Sequence, residues 1–213
     1  MSVLGSPDQW VDLLDSMVPD ILHLTVAAWE SLPAIASDEK EDNITLALCR
    51  VLRQNREARN LPFQIHTQQV EIDPQPGEDM GRLDIVFNLL VPREEIYFCL
   101  EGKRLNVIKN GETRAYAAEY VSHGMMRFVT GQYSRAVHHG GMIGYVLDGD
   151  ISRAITNVEA NVQAQHAALG MSAPGDLVES EHLKPDTRAR ESDHQRTHET
   201  TKFRIHHLFM ASN

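Results

Sequence analysis

The sequence is short of cysteine, of aromatic residues and of positive charge, and each shortage narrows what the chain can be. Only two cysteines occur, Cys49 and Cys99, inside the apolar runs LALCRVL and IYFCLEG, and there is no CxxC. A disulfide scaffold, a zinc ribbon and a dithiol redox pair are therefore excluded, and two buried free thiols of a cytoplasmic protein are expected. No apolar stretch approaches the ~20 residues that span a bilayer. The start, MSVLGSPDQW, has no basic run followed by an apolar core, so neither a membrane anchor nor a signal peptide is expected. Twenty basic residues against thirty acidic ones give a net charge of -10. Such a chain repels a phosphate backbone on average, which argues against a protein that simply coats DNA. An enzyme remains compatible, because carboxylates that hold metal ions count as negative charge before the ions arrive.

What is present suffices for one core. The 213 residues are 42% hydrophobic although only 6% are aromatic, which suits a single domain over 1–213 and leaves little chain for a second. Residues 8–32 carry Trp10, Leu13, Leu14, Met17 and Val18, then Ile21, Leu24, Ala28 and Leu32, at helical spacing, with Pro19 as a possible break. Residues 39–58 read as the clearest helix. Ser37 or Asp38 would cap it, Ile44, Leu48, Val51 and Leu52 line one face, and Asn60-Leu61-Pro62 ends it. Strands are expected at 63–73, 81–90 and 95–106, joined by turns at 74–79 and at Pro92-Arg93-Glu94. A helix is expected over 112–137, a short strand at MIGYVLD within 138–150, and a helix over 151–168. A polar loop with room for a short strand should fill 169–201, and a last strand 202–210 should complete the sheet. The order α-β-β-β-α-β-α-β predicts an α/β fold, a central mixed sheet flanked by helices.

The chemistry-bearing pattern is Asp84 in GRLDIVF with Glu101-x-Lys103 in FCLEGKRL. Each polar residue interrupts a strand whose neighbours are apolar, a costly placement unless the charge is paired or metal-bound. Glu101 and Lys103 are two apart and share one face of their strand. If the two strands pair, Asp84 lies beside them. Two carboxylates can hold a hard divalent cation, and an ammonium can position the attacking water and screen negative charge at a phosphate. The plain alternative for the same residues is an ion pair on a solvated sheet face.

Asp84, Glu101 and Lys103 together resemble the PD-(D/E)xK nuclease superfamily. Its pattern is an aspartate on one strand, (D/E)-x-K on the next and an acidic residue in a preceding helix. Leu83 stands where the pattern's name has proline, a departure common in that superfamily. The resemblance covers roughly residues 37–150. It implies a restriction-endonuclease-like fold and an Mg²⁺- or Mn²⁺-dependent nuclease, with Asp84, Glu101 and the helix acid as ligands. It also implies DNA as substrate, in defence, restriction or repair. A catalytically silent domain serving assembly or nucleic-acid docking is the alternative. Glu41 is the first candidate for the helix acid, since it continues the stripe through Ile44 and Leu48, yet it would also fit the N3 position of a capping box with Asp38. Asp42 and Glu30 are the others.

Candidates for contact with nucleic acid are Gln132 and Arg135, and the alternating Ser192, His194 and Arg196, which could share one face of an extended segment. The same three could instead stabilise a sheet edge. His207, in an apolar strand, is expected to be packed and hydrogen-bonded. His138-His139 and His206-His207 are adjacent pairs without the spacing of a zinc motif. A concerted double-strand cut would require paired sites, so a homodimer or a larger complex is expected.

Overall fold

The computed structural model describes residues 5–70, 81–91, 93–197 and 201–212. The end of the first expected strand, 71–73, the turn expected at 74–79, and Pro92 of the next turn lie outside them.

Helix α1 (Pro7–Glu30) begins at Ser6, whose hydroxyl and Gln9 form a reciprocal capping box, with Pro7 in the first turn. Pro19 lies inside the helix without ending it. Helix α2 (Glu41–Arg59) starts later than the capping motif suggested. Its N-cap is Lys40, with no side-chain cap, which makes Glu41 the first helical residue rather than the third. Asn60, in the left-handed conformation, ends it.

Strands β1 (Phe63–Val70), β2 (Arg82–Leu89) and β3 (Tyr97–Leu105) form the expected antiparallel meander. The helix expected over 112–137 is much shorter. A hairpin of β4 (Val107–Lys109) and β5 (Glu112–Arg114) comes first, turned by Asn110 and Gly111, both at positive φ. That is the Asn-Gly turn whose twist matches a hairpin, and glycine meets its demand without strain. Three short segments then follow end to end, α3 (Ala117–Tyr120), a π-helical turn (Val121–Met125) and α4 (Met126–Val129).

Strand β6 (His139–Val146) begins three residues before the expected MIGYVLD, and helix α5 (Ile151–Ala164) starts where expected but ends short of 168. The polar stretch after α5 contains β7 (Val178–Glu179) and a six-residue β8 (Ala189–His194), before β9 (Phe203–Ala211). The main sheet runs β1-β2-β3-β6-β9-β8-β7. Its centre, β3-β6-β9, is parallel and its flanks are antiparallel. This is a mixed sheet covered by helices on both faces. Helices α1 and α2 pack Leu14, Ile21, Leu48 and Leu52 against Phe63, Phe87 and Phe98. On the opposite face, Tyr120, Phe128, Val158 and Val162 pack against Val86, Met142 and Phe209. Among the described residues no helix is long and apolar enough to cross a membrane.

Candidate active site

Backbone pairing explains why the two carboxylates meet. β2 and β3 pair from Asn88 opposite Tyr97 to Ile85 opposite Leu100. One step beyond, the register sets Asp84 opposite Glu101, and there the ladder stops. The Gly102 N–H donates to Asp84 Oδ2 at 2.8 Å instead of to a strand carbonyl. On its other side β3 stays paired with β6, Glu101 facing Met142. The site therefore sits where β2 and β3 part, next to the centre of the sheet.

Glycine at 102 is required by packing. A Cβ there would lie 2.8 Å from both Cε2 and Oη of Tyr145. That ring is held by stacking on Trp29 and by a hydrogen bond between its hydroxyl and Thr45 Oγ1.

Lys103 lies on the same face as Glu101, as their spacing requires. Its Nζ donates to Glu101 Oε1 at 2.8 Å, to Glu41 Oε1 at 3.2 Å and to the Gly102 carbonyl at 2.8 Å. Glu41 Oε2 accepts the Arg104 N–H. Glu41 thus links the start of α2, where a negative charge suits the helix dipole, to β3. Of the three helix acids considered, it is the one that reaches the site. Asp42 is exposed and faces Arg82 at 3.7 Å, and Glu30 pairs with Arg188.

A further cation enters from α4. Arg127 Nη1 donates to Glu101 Oε1 at 2.7 Å and to the Tyr133 hydroxyl at 2.8 Å, and that hydroxyl donates to the Arg82 carbonyl. The sequence offered no sign of this contact, because a lone arginine on a helix reads as surface charge.

The charges are strongly coupled. Burial, with the charge of Asp84 beside it, pushes the Glu101 carboxyl up to about 8 despite its two cationic partners. Burial also raises Asp84, against the pull of the Lys103 ammonium and the Gly102 N–H. Burial alone would lower Lys103, but the carboxylates of Glu101, Glu41 and Asp84 outweigh it and hold the ammonium above its ordinary value.

Among the described residues, no group of three or more His, Cys, Asp or Glu side chains is placed to hold a metal ion by itself. Mg²⁺ does not need three, since it commonly takes one or two carboxylates and keeps several waters. Glu101 Oε2 is buried without a hydrogen-bond partner. A hard cation between it and Asp84 would satisfy that oxygen, so the residues present fit such an ion.

The residues expected to contact nucleic acid divide into two sets. Gln132 is half-buried, its amide near Gly81 and next to Tyr133. Arg135 is exposed, its Nε bonded to the Gly131 carbonyl. Ser192, His194 and Arg196 do share a face, but it is the inner one, and all three are at most 3% exposed. Arg196 donates to the carbonyls of Phe128, Ser134 and Tyr133 and lies over the Phe203 ring. Ser192 bridges His194 and His207. These three residues stabilise the sheet and have no surface to offer a phosphate.

The buried histidines have a definite proton arrangement. The Leu169 carbonyl can only accept, so His194 Nδ1 carries a proton and its Nε2 accepts from the Ser192 hydroxyl. Ser192 then accepts from His207 Nε2, and His207 Nδ1 accepts from Tyr120. Every link is satisfied with both rings neutral, and burial holds His194 down to about 4 and His207 well below its ordinary value.

The cleft between α5 and Thr187, Arg188 and Arg190 contains none of the site residues. Comparison with family models, with curated proteins and with solved structures finds no match.

Proposed function

We propose that the chain is a metal-dependent phosphodiester hydrolase whose sheet is the restriction-endonuclease-like arrangement. The observation that carries this reading is Glu101 Oε2, a buried carboxylate oxygen without a partner, on the residue opposite Asp84 where two strands separate. Structural ion pairs in a sheet normally satisfy both oxygens. An oxygen left over beside a second carboxylate is a position that a hard cation would satisfy.

Asp84 and Glu101 would hold Mg²⁺ or Mn²⁺. When bound, the ion supplies charge stabilisation at the phosphate and acidifies the attacking water. Lys103 projects from the same strand face and would orient that water and screen the charge that builds on the phosphate. Glu41 holds the Lys103 ammonium and the β3 backbone in place. DNA as the substrate, a role in defence, restriction or repair, and pairing of two copies for double-strand cutting belong to the same reading. They rest on the resemblance of Asp84, Glu101 and Lys103 to the PD-(D/E)xK pattern.

One observation favours a silent domain that serves assembly or nucleic-acid docking. Glu101 Oε1 is already held by both Lys103 and Arg127, and with the carboxyl pushed up to about 8 it needs no metal to balance it near neutral pH. Calorimetric titration with Mn²⁺ separates the two readings. Micromolar to millimolar binding that is lost in Asp84→Asn supports the hydrolase, and absence of binding supports the silent domain.

A further inference from the structure

We propose that Arg127 is a displaceable counter-ion of Glu101, leaving the carboxylate when a divalent cation binds there and turning to a phosphate of the nucleic-acid substrate. This inference rests on the metal-dependent reading above and adds to it a residue with two positions.

The geometry around Glu101 is lopsided. Oε1 accepts from both Lys103 Nζ and Arg127 Nη1, while Oε2 accepts from neither. A guanidinium whose task was to neutralise a buried carboxylate would normally meet it as a fork, one N–H to each oxygen. Arg127 instead touches one oxygen through one nitrogen and shares that nitrogen with the Tyr133 hydroxyl. The guanidinium carbon lies 5.3 Å from the centre of the Tyr133 ring.

The two cations also differ in how firmly they are held. Lys103 is 14% exposed and has three oxygen partners, whereas the Arg127 side chain is 34% exposed and has two, Glu101 Oε1 and the Tyr133 hydroxyl. Arg127 is therefore the partner that can leave. Its backbone follows directly on the π-helical turn, an irregularity often found where a helix serves a site.

The chemistry fits both positions. Arginine is always charged, so on Glu101 it neutralises an otherwise costly buried carboxylate, and it opposes a divalent cation at the same oxygens. Its planar donors match a phosphate better than lysine does.

The test is calorimetric titration of the full chain with Mn²⁺, for wild type, Arg127→Gln, Arg127→Met and Asp84→Asn. Circular dichroism checks that each is folded. Binding of a short DNA duplex in Ca²⁺ is measured alongside. Removing a positive charge this close to the ion should tighten Mn²⁺ binding about tenfold or more in both Arg127 variants. The same variants should bind the duplex more weakly, and Arg127→Lys should restore part of that loss. A fixed arginine would oppose the ion as well, so duplex binding tests the second position: duplex affinity unchanged in folded Arg127→Gln overturns the move to a phosphate. Unchanged or weaker Mn²⁺ binding in folded Arg127→Gln overturns the inference while leaving the metal site standing. A wild type that binds no ion, or whose binding survives Asp84→Asn, overturns the metal-dependent reading and this inference with it.

Discussion

Lys103 has three acceptors within 3.2 Å, two of them carboxylates, so removing its charge leaves Glu101 in the interior with Arg127 alone. The size of the effect depends on pH. Burial holds the Glu101 carboxyl at about 8 with Lys103 in place, and loss of the ammonium raises it further. Near neutral pH the carboxyl therefore carries a proton with or without Lys103, and only in alkaline solution does the wild type gain from the pair. Lys103→Met should therefore cost little stability near neutral pH and approach about 3 kcal/mol in alkaline buffer, read from urea unfolding at the two pH values. Adding Glu101→Gln should recover most of the alkaline loss, and simple additivity would show that the two groups are not coupled. Gly102 is constrained in a different way. Gly102→Ala drives a methyl into a Tyr145 ring that is held on both sides, and it should lower stability by about 1–3 kcal/mol. A thermal midpoint equal to the wild type's would mean that the ring yields.

At the scale of elements, the meeting of the candidate site residues was easier to read from the sequence than the parts around them. Asp84, Glu101 and Lys103 stood out because charge interrupts apolar strands, and strand periodicity placed Glu101 and Lys103 on one face. The β1–β3 meander followed from alternation between turn signals. The β4–β5 hairpin was legible in Lys109-Asn110-Gly111-Glu112 but was hidden by the helical spacing of Tyr116, Tyr120 and Phe128. β8 was legible only in part, as the alternation of Ser192, His194 and Arg196 within a stretch with room for a short strand. Its sequence ARESDH has no apolar alternation, because its inward positions are polar groups satisfied by distant partners. Glu191, for example, accepts from Ser180 and from the Glu181 N–H. For the same reason Ser192, His194 and Arg196 could be read either as phosphate contacts or as supports of a sheet edge, and their burial favours the second. Their burial depends on Leu169, Phe128 and His207, which no local pattern connects to them. The Arg127 contact with Glu101 joins residues 26 apart through tertiary packing alone.

Over the whole molecule, three buried histidines and the half-buried His139 are expected to weaken the fold in acid. His139 is held down to about 3 and His194 to about 4, with His206 and His207 also lowered, all chiefly by burial. In the unfolded chain each takes a proton near pH 6.5. The unfolded state then binds more protons, so stability is full above about 6.5 and falls as pH drops towards 4. Glu101 acts in the opposite sense, its contribution being full below its unfolded value and lost as pH rises through about 8. The urea midpoint should therefore fall on acidification from pH 6.5 to 4, more shallowly in His194→Gln. A flat profile would contradict the neutral Tyr120–His207–Ser192–His194 chain. The net charge of -10 implies that any nucleic acid is held through a bound cation and a few local clamps. The most direct measurement is cleavage of supercoiled, linear and single-stranded DNA, with RNA alongside, by wild type and Lys103→Ala in Mg²⁺, Mn²⁺ or EDTA. Cleavage by the wild type with either ion, none in EDTA, and at least a ~100-fold loss in a folded Lys103→Ala are expected. Cleavage that persists in EDTA, or that the substitution leaves unchanged, would contradict the metal-dependent reading.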